Sequence, residues 1–482
     1  MSTTSIFIGL ACTFILAIIV DVIITYAQRK QNPPLVRSYL PWIGTGFAFH
    51  RTRVPFFSDC RMRYGSYYRF NLGPMKSMVV VSSRRMLKRF FIDKRFDNKD
   101  AHFRTLSALG SRLDRAHLSI PIHKHFLPSM GCRLSNRVVV KEFLSSLCFE
   151  LGDGLGNLSE YNLLSDVIGK VLYNAINAVL FGPSFPPDTY TDFLTLDRAM
   201  PALLSGFHFM LLPSIFARRR LLWKMMSYIQ ENHSNDGKAR VSVLPAALKS
   251  VEQRLPLHEQ AVCMLSLLWV VHTNIRRSTF WLTAYVLANA DVQGCLRAEI
   301  DTTLEKLCPG DSDATLLYND PDSISANFPL VVSAVTESLR LCMLPASLRI
   351  ASIDIEFQAD NRPIFVVRRG EMMMGNVTSH HHDDEVYPEA STFKVDRSFS
   401  SDLARPPKIM TWGDGVHICK GHFFVQHIMK LWLIMLLQKY DCRSPITSVP
   451  GIDPSSWNTI AEPISDVPVF LFRRGKNSVG RQ

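Results

Sequence analysis

This 482-residue sequence contains no regularly spaced pairs of cysteines, and that absence is its first informative feature. Its ten cysteines contain no C-x-x-C pair and no paired spacing, which excludes a recognisable disulfide framework or zinc site. The sequence therefore predicts a protein of a reducing compartment. No Gly/Ser-rich or Pro-rich tract divides the chain either, so we expect one large domain rather than several linked modules.

Motifs for nucleic acids and for nucleotide cofactors are also absent. Lys plus Arg exceed Asp plus Glu by 12, but no RNA- or DNA-binding motif accompanies this basic excess. The charge fits an anionic membrane surface or an acidic protein partner, and no nucleic-acid partner is predicted. The run Leu151–Gly156 has three glycines but lacks the preceding hydrophobic strand of a dinucleotide site, so no flavin or nicotinamide site is predicted.

Apolar residues, in contrast, are plentiful. They make up 47% of the chain, including 18 Met and 30 Phe, while charged residues make up 20%. Methionine fills irregular spaces, so this composition suits an adaptable apolar cavity. A large hydrophobic core alone explains the same composition equally well.

The N-terminus contains one long hydrophobic run, Ser5–Tyr26, about the ~20 residues that a helix needs to cross a bilayer. Met1–Thr4 carry no basic residue of the kind that opens a cleaved signal peptide. Arg29 and Lys30 follow the run, and a basic flank stays on the cytosolic side of a membrane. The sequence thus predicts one uncleaved transmembrane helix and a cytosolic main domain.

Three prolines between positions 33 and 41 follow the hydrophobic run. They block helix continuation and stiffen the chain into an extended spacer. We therefore divide the chain into a membrane anchor at residues 1–30, a proline-rich hinge at residues 31–48 and a catalytic domain at residues 49–482.

Beyond the hinge the sequence predicts mainly helices, with a small sheet near the N-terminus. Tyr67–Asn71 and Met75–Ser83 have the composition of strands. Leu257–Ala288 contains no proline and is apolar on nearly every face, which predicts a buried central helix. In its middle, Thr273, Asn274 and two arginines interrupt the apolar run. Buried polar groups are costly unless they are bonded, so these residues are functional candidates.

A single cysteine lies in the stretch W-G-D-G-V-H-I-C-K-G, which ends at Gly421. Gly415 and Gly421 flank Cys419, and their missing Cβ atoms allow a tight bend and a close approach to a flat cofactor. Such a loop aims backbone N–H groups at a thiolate, while Trp412 shields it from water and His417 lies between the glycines. The alternative is that Cys419 is a small buried hydrophobe before a helix.

This stretch resembles the haem-binding signature of the cytochrome P450 family, aromatic-x-x-Gly-x-(Arg or His)-x-Cys-x-Gly. Glu337 and Arg340 match the family's upstream Glu-x-x-Arg helix, and Arg397 lies where an arginine completes a three-way network. The resemblance implies the P450 fold, mainly α with small β-sheets, preceded by one transmembrane helix. It also implies that these three charged residues have a structural role and support the cysteine loop from behind.

The same resemblance implies haem b as the cofactor, with the Cys419 thiolate as axial ligand of the iron. Arg349 resembles the arginine that bonds a haem propionate. The Trp-x-x-x-Arg helix that usually supplies another propionate contact is missing, because its region contains no tryptophan. His123 and Lys124 are candidate substitutes, although a basic residue in an amphipathic helix is more often simply solvated.

The run His380–Asp384, H-H-H-D-D, invites interpretation as a separate metal site. Adjacent histidines cannot share one face of a helix, and the P450 family carries a similar polar turn before its Y-P-E segment. We therefore predict a polar turn here, and the only metal site that we predict is the iron at Cys419.

In the P450 family the central helix carries an acid and a threonine that relay protons during oxygen activation. Thr273 falls at the position of the acid and Asn274 at that of the threonine, and both are predicted as catalytic. Asparagine at this position, with F-W beginning six residues later, resembles the branch of bile-acid sterol hydroxylases and prostacyclin synthase. Fungal secondary-metabolism members of the family have a similar pattern.

The resemblance implies a haem-thiolate monooxygenase that oxidises a lipophilic terpenoid, meroterpenoid or steroid-like substrate in secondary-metabolite biosynthesis. Since no flavin or nicotinamide motif is present, NADPH-cytochrome P450 reductase would supply the electrons. The implied location is the endoplasmic reticulum membrane, with a single span and the sequons at Asn157 and Asn376 unmodified in the cytosol. Two alternatives remain: an isomerase or dehydratase that needs no external electrons, and a haem-binding protein without turnover.

Overall fold

The computed structural model describes residues 12–13, 15–16, 19–20, 33–37, 44–73, 76–204, 211–233, 247–309, 318, 320–344, 347–360, 364–397, 409–456 and 460–475. Within these ranges no helix is both long and apolar enough to cross a membrane. The span predicted at Ser5–Tyr26 lies almost entirely outside them, as does part of the proline-rich hinge.

The described chain is mainly helical. In chain order its α-helices are α1 (Gly44–Arg51), α2 (Arg53–Tyr64), α3 (Arg84–Ile92), α4 (Lys99–Ala108), α5 (Arg115–Ile120), α6 (Leu127–Ser135), α7 (Arg137–Gly156), α8 (Leu164–Leu180), α9 (Tyr190–Leu204), α10 (Leu212–His233), α11 (Leu257–Leu287), α12 (Ala290–Leu307), α13 (Pro321–Asn327), α14 (Pro329–Cys342), α15 (Val377–His381) and α16 (His422–Lys439). A π-helical turn, Pro121–Phe126, joins α5 to α6, and a 3-10 turn spans Gly415–His417.

The strands form three small sheets. They are β1 (Tyr67–Gly73), β2 (Lys76–Val81), β3 (Phe96–Asp97), β4 (Tyr161–Leu163), β5 (Ser347–Ala351), β6 (Ile355–Gln358), β7 (Ile364–Val367), β8 (Met372–Gly375), β9 (Tyr440–Arg443) and β10 (Pro468–Arg473). The five-stranded sheet has the order β1-β2-β8-β5-β3, and the others are β4-β10-β9 and β6-β7. The predicted mainly α architecture with small sheets is confirmed, and the two predicted N-terminal strands are β1 and β2.

Strand β2 is buried on both faces. It pairs antiparallel with β1 and parallel with β8, where Met78 lies opposite Met372. Because side chains alternate along a strand, Val79 and Val81 point into the main core while Val80 joins a second cluster against α1 and α2. This two-sided burial explains the continuous run of valines, since neither face meets water.

Helix α11 is the central element of the fold. Pro256 precedes its first residue, and the helix then runs for 31 residues without proline. It packs against α8, α10, α14 and α16, so most of its circumference is buried. The predicted central helix at Leu257–Ala288 is confirmed, and burial on all sides is the reason that its sequence lacks a polar stripe.

Helix α14 carries the predicted Glu-x-x-Arg pair, and helix α16 follows the cysteine loop. Both pack on α11 and on each other. The interior of α16 is almost wholly apolar and buried. The start of α16 therefore has a fixed position relative to the central helix, and the cysteine loop is attached to that start.

Candidate active site

The loop that carries Cys419 is closed by backbone hydrogen bonds. The Cys419 N–H donates to the Trp412 carbonyl at 2.9 Å, and the Ile418 N–H donates to the Gly415 carbonyl at 3.3 Å. Gly413 and Gly415 have φ angles of +70° and +65°, in the left-handed region that favours glycine. These conformations fold the chain back and place Cys419 just before α16.

The two glycines predicted to flank the cysteine have different roles. A Cβ on Gly415 would lie 2.8 Å from the Phe91 carbonyl oxygen and 2.9 Å from the Ile92 Cα, so the bend packs tightly against α3. Gly421 has φ of −88°, and a Cβ there would meet no protein atom within 4 Å. The tight bend predicted for this stretch is therefore made by Gly413 and Gly415, and Gly421 has no part in it. Gly421 instead faces open space on the cavity side.

The Cys419 side chain opens into a cavity and is not packed in the core. Burial in that cavity raises the pKa of the thiol, whereas the backbone N–H groups of Gly421 and His422 and the Lys420 charge lower it. The N-terminus of α16 also lies here, and its partial positive charge favours an anion. The loop thus directs donors at a thiolate, as an axial haem ligand requires.

The cavity has a volume of about 810 Å³, within the range of small-molecule sites. Most of its lining comes from the cysteine loop, from the start of α4 with the π-helical turn and α6, and from one face of α11, with Leu339, Met343 and Ile460 completing the wall. The α11 residues follow the spacing of a single helix face and are Leu267, Val270, Val271, Asn274 and Ser278. A thiol and an amide therefore share one largely apolar chamber.

The structure separates the two residues predicted as catalytic on the central helix. Asn274 lines the cavity, and its Nδ2 donates to the Val270 carbonyl at 2.8 Å. Thr273 is 1% exposed, is not among the cavity residues, and donates its hydroxyl to Asp197 Oδ1 at 2.7 Å. The structure therefore does not bring Thr273 into the cavity beside Asn274, and the catalytic role predicted for Thr273 stays a prediction.

Asp197 of α9 is the centre of a buried polar network around α11. Besides Thr273, its carboxylate accepts from the Trp269 Nε1 at 3.0 Å, from Arg276 at 3.1 Å and from Arg277 at 3.3 Å. Burial alone raises the pKa of Asp197, but the two arginines and the two neutral donors outweigh it and hold that pKa below its ordinary value. The network explains how the polar run of α11 is tolerated in the core.

Glu337, Arg340 and Arg397 lie together, in the arrangement predicted from the sequence. Arg340 donates through Nε and Nη2 to the two oxygens of Glu337, both at 2.8 Å. The Arg397 Nε also donates to Glu337 Oε1 at 2.8 Å. All three residues are at most 7% exposed. One carboxylate therefore compensates two buried guanidinium groups, and backbone carbonyls accept the remaining hydrogens of Arg397.

His381 connects this triad to the cysteine loop. Its carbonyl accepts a hydrogen bond from the Arg340 Nη1, and its Nε2 accepts from the Met410 N–H at 3.0 Å. Met410 in turn accepts from the Gly413 N–H at 3.1 Å. The bond to Met410 gives His381 a structural partner. The polar turn predicted at His380–Asp384 thus contains the residue that links helix α14 to the bend.

His417 and Trp412 both line the cavity. The His417 Nε2–H donates to the Phe96 carbonyl at 3.2 Å, and burial and the nearby Arg349 charge lower the pKa of His417. Arg349 itself does not line the cavity. It donates to the carbonyls of Phe90 and Phe91, both at 2.9 Å. Its predicted contact with a haem propionate stays a prediction.

The two candidate substitutes for the missing Trp-x-x-x-Arg contact, His123 and Lys124, also differ in whether they line the cavity. His123, in the π-helical turn, lines the cavity, whereas Lys124 is exposed and does not. His102 of α4 also lines the cavity, and its Nδ1 lies 3.2 Å from the His123 Nε2. Sequence reasoning missed His102 because no spacing links it to His123, which lies 21 positions away. It missed Asp197 as well, because no local pattern links this acid of α9 to the polar run of α11.

The haem implied by the family resemblance fits this cavity on three observations. A thiol opens into it beside two backbone N–H groups. Gly421 leaves open space where a side chain would stand. A histidine cluster lines another part of the wall, where it can receive anionic groups. The residues that would hold the group are Cys419, Gly421, Trp412, His417, His102 and His123.

Comparison with known proteins agrees with this geometry. The family described as Cytochrome P450 matches residues 33–465. The chain is 24% identical to the human 7-alpha-hydroxycholest-4-en-3-one 12-alpha-hydroxylase, over 89% of this chain and 90% of the relative. It is 23% identical to the human 24-hydroxycholesterol 7-alpha-hydroxylase, with 86% and 89% covered, and 22% identical to the Bos taurus prostacyclin synthase, with 92% and 94% covered.

Among solved structures, the retinoic acid-bound cyanobacterial CYP120A1 superposes with a TM-score of 0.72 at 18% identity, covering 92% of this chain and 100% of that one. At this identity the likeness shows the fold alone. Because the family match spans most of the sequence, and because Cys419 opens into a chamber whose residues fit a haem, the chain belongs to the cytochrome P450 family of haem-thiolate monooxygenases.

Proposed function

We propose that this chain is a membrane-associated monooxygenase that hydroxylates a steroid-like or terpenoid substrate with electrons from NADPH-cytochrome P450 reductase. The observation that carries the proposal is that Cys419 and Asn274 line the same chamber, together with the apolar side chains of Leu267, Val270 and Val271. A flat apolar molecule can pack on this face of α11 while a polar group remains beside the reacting position.

Two relatives support the choice of substrate class. The names of the 12-alpha-hydroxylase and of the 24-hydroxycholesterol 7-alpha-hydroxylase denote hydroxylation of sterols. The resemblance of the Asn274 and F-W pattern to fungal secondary-metabolism members supports a biosynthetic role with terpenoid or meroterpenoid substrates. Both substrate classes are rigid and apolar, so the same chamber serves either.

The roles of the residues follow from their positions. Bound haem with an axial thiolate supplies the chemistry that splits an O–O bond and oxidises a C–H bond. The Cys419 loop holds the ligand sulfur, and the apolar face of α11 orients the substrate and excludes water. Asn274 holds a water at the chamber, since an amide offers both a donor and an acceptor at fixed positions. The Asp197 network fixes the rotation of α11, and with it the direction of Asn274.

An isomerase or dehydratase is the second candidate, favoured by the similarity to a prostacyclin synthase and by an amide in place of a hydroxyl at position 274. An amide is a poor proton shuttle, which matters less for a rearrangement without external electrons. Substrate-dependent consumption of NADPH with the reductase present separates the two. The monooxygenase consumes it, whereas the isomerase forms product at an unchanged rate without reductase.

The Asn274→Ala variant tests the mechanism. We expect it to retain haem, because the cysteine loop is untouched, but product formed per NADPH should fall by roughly tenfold or more, with the lost equivalents released as peroxide. NADPH consumed, peroxide released and product formed are measured together for wild type and variant. Asn274→Thr serves as the conservative control, since a hydroxyl restores a proton shuttle, and it should stay coupled.

The opposing interpretation is that Asn274 only satisfies the Val270 carbonyl within the helix, a bond that the structure contains. In that case Asn274→Ala would melt at a lower temperature and yet form as much product per NADPH as the wild type. That outcome would overturn the proposed role of this side chain.

We further propose that Ser5–Tyr26 anchors the protein in the endoplasmic reticulum membrane with residues 49–482 in the cytosol. The full-length chain should pellet with membranes, resist a carbonate wash and be digested by protease added from the cytosolic side. Deletion of residues 1–30 should release at least part of the protein. Asn157 is an exposed sequon, whereas the Asn376 side chain is buried, so Asn157 reports orientation. A glycan at Asn157 would contradict this topology.

A further inference from the structure

His102 and His123 form a directed hydrogen-bond chain at the wall of the chamber. The His123 Nδ1 lies 3.1 Å from the Ser119 carbonyl, which can only accept, so this nitrogen carries the proton. In the neutral ring the His123 Nε2 is then an acceptor, and the His102 Nδ1–H donates to it across 3.2 Å. The Asn98 Nδ2 lies 3.4 Å from the His102 Nε2, as a donor to the remaining lone pair.

The hydrogen-bond chain is complete when both imidazoles are neutral, and the surrounding residues keep both imidazoles neutral. Burial lowers the pKa of His102 to about 4, with the His123 and His417 charges acting in the same direction and Asp97 acting against them. Burial also lowers the pKa of His123, as does Lys99, while the Ser119 carbonyl and Asp97 raise it. The rings are held almost parallel, 5.4 Å apart at 24°, with the Phe103 ring packed edge-on against His123.

This geometry differs from that of a solvated surface pair. Asn98, His102 and His123 all line the chamber into which Cys419 opens. This region of the sequence contains no tryptophan, so the usual Trp-x-x-x-Arg pair is missing, and Lys124 lies outside the chamber. For a carboxylate of a bound haem, this part of the wall offers two imidazoles in place of an indole and a guanidinium, and Lys99 and Lys420 also line the chamber.

We propose that the His102–His123 pair binds a haem propionate in this chain, and that the pair takes up one proton from solvent when the propionate binds. The added proton makes one imidazole an imidazolium, so the bound state pairs one positive with one negative charge and neither is left uncompensated. An anion within about 4–6 Å favours the charged form of a histidine, which reverses the effect of burial. The proposal rests on haem binding by the family and on nothing about the substrate.

The consequence is a pH dependence of haem retention with a definite sign. When a bound ligand raises the pKa of a group, the ligand binds more tightly at pH values where that group is protonated in the complex. These are the pH values below the pKa of the bound state. The pKa of His102 without an anion is about 4. Above about pH 4, therefore, haem retention should weaken as the pH rises. If one proton is coupled, haem loss should accelerate by up to roughly tenfold per pH unit at the steepest part.

The experiment measures the rate of haem transfer to an excess of a haem-scavenging globin, between about pH 5 and pH 8 where histidine titrates. Wild type, His102→Gln and His123→Gln are compared, with His117→Gln as matched control. His117 lies on the neighbouring helix α5, is bonded to Asp114, has a largely exposed side chain and does not line the chamber. We expect faster loss and a flattened pH profile in the first two variants and the wild-type profile in the control.

A second arm uses wild-type protein loaded with haem dimethyl ester, which has no propionate charge and needs no mutation. The ester should be lost quickly, and its rate should show no pH slope in this range. If the ester shows the same slope as haem, or if both glutamine variants keep the wild-type profile, the proposal is overturned. Because the readout is haem loss, the result does not depend on whether the enzyme hydroxylates or isomerises its substrate.

Discussion

Replacing Cys419 by serine will abolish the absorption band near ~450 nm that reduced, carbon monoxide-treated protein shows when haem has a thiolate ligand. The expected loss is complete, because a serine hydroxyl does not ionise under these conditions and cannot act as that ligand. The carbon monoxide difference spectrum measures it directly. Loss of the band with haem still bound would show that ligation changed and the fold did not.

Cys132 provides the matched control for this experiment. It is the other cysteine that lines the described part of the chamber, and it belongs to α6 and not to the loop that ends at Gly421. Cys132→Ser should keep the band. If Cys132→Ser lost the band and Cys419→Ser kept it, the iron ligand would be on α6 and the assignment of the loop would be wrong.

Neutralising Glu337 will strongly destabilise the fold. Glu337→Gln leaves the guanidinium groups of Arg340 and Arg397 buried without a compensating charge, and breaking a buried ion pair in this way costs about 3–5 kcal/mol of unfolding free energy. Since Arg340 also donates to the His381 carbonyl, we expect the cysteine loop to loosen and haem incorporation to fall. Urea unfolding and haem content measure both effects.

Glu389→Gln is the control for this prediction. Glu389 lies in the same region and pairs with Lys394, but both side chains are substantially exposed. An exposed ion pair contributes about 0–1 kcal/mol, so this variant should unfold at nearly the wild-type urea concentration. Equal effects of the two substitutions would show that the buried triad has no special importance.

The sequence predicted the parts of the site that depend on short segments. The cysteine loop needs glycines at fixed offsets from Cys419, and those offsets are visible in the sequence because the loop is built by its own backbone. The central helix was equally predictable, since an apolar run without proline has one stable solution in a large core. The Glu337–Arg340 pair was visible as well, because residues three apart meet on one helix face.

The sequence left the separate roles of Gly415 and Gly421 open. A glycine near a loop is typical both of a positive φ and of open space for a ligand, and the sequence cannot separate the two. The structure separates them through neighbours: Gly415 packs against Phe91, whereas Gly421 has no protein atom close to its Cβ position.

The sequence by itself determined the family, the cofactor ligand and the order of the main helices. Only the tertiary structure decided which of two adjacent residues faces the chamber. Successive residues of an α-helix point about 100° apart, so two neighbours can share the chamber face, as Val270 and Val271 do, or lie on different faces. For Thr273 and Asn274 the packing of α9 against α11 decides, because it places Asp197 within hydrogen-bond distance of the Thr273 hydroxyl. The His102–His123 pair has the same origin, because it joins α4 to a π-helical turn across 21 positions and no local pattern encodes such a contact.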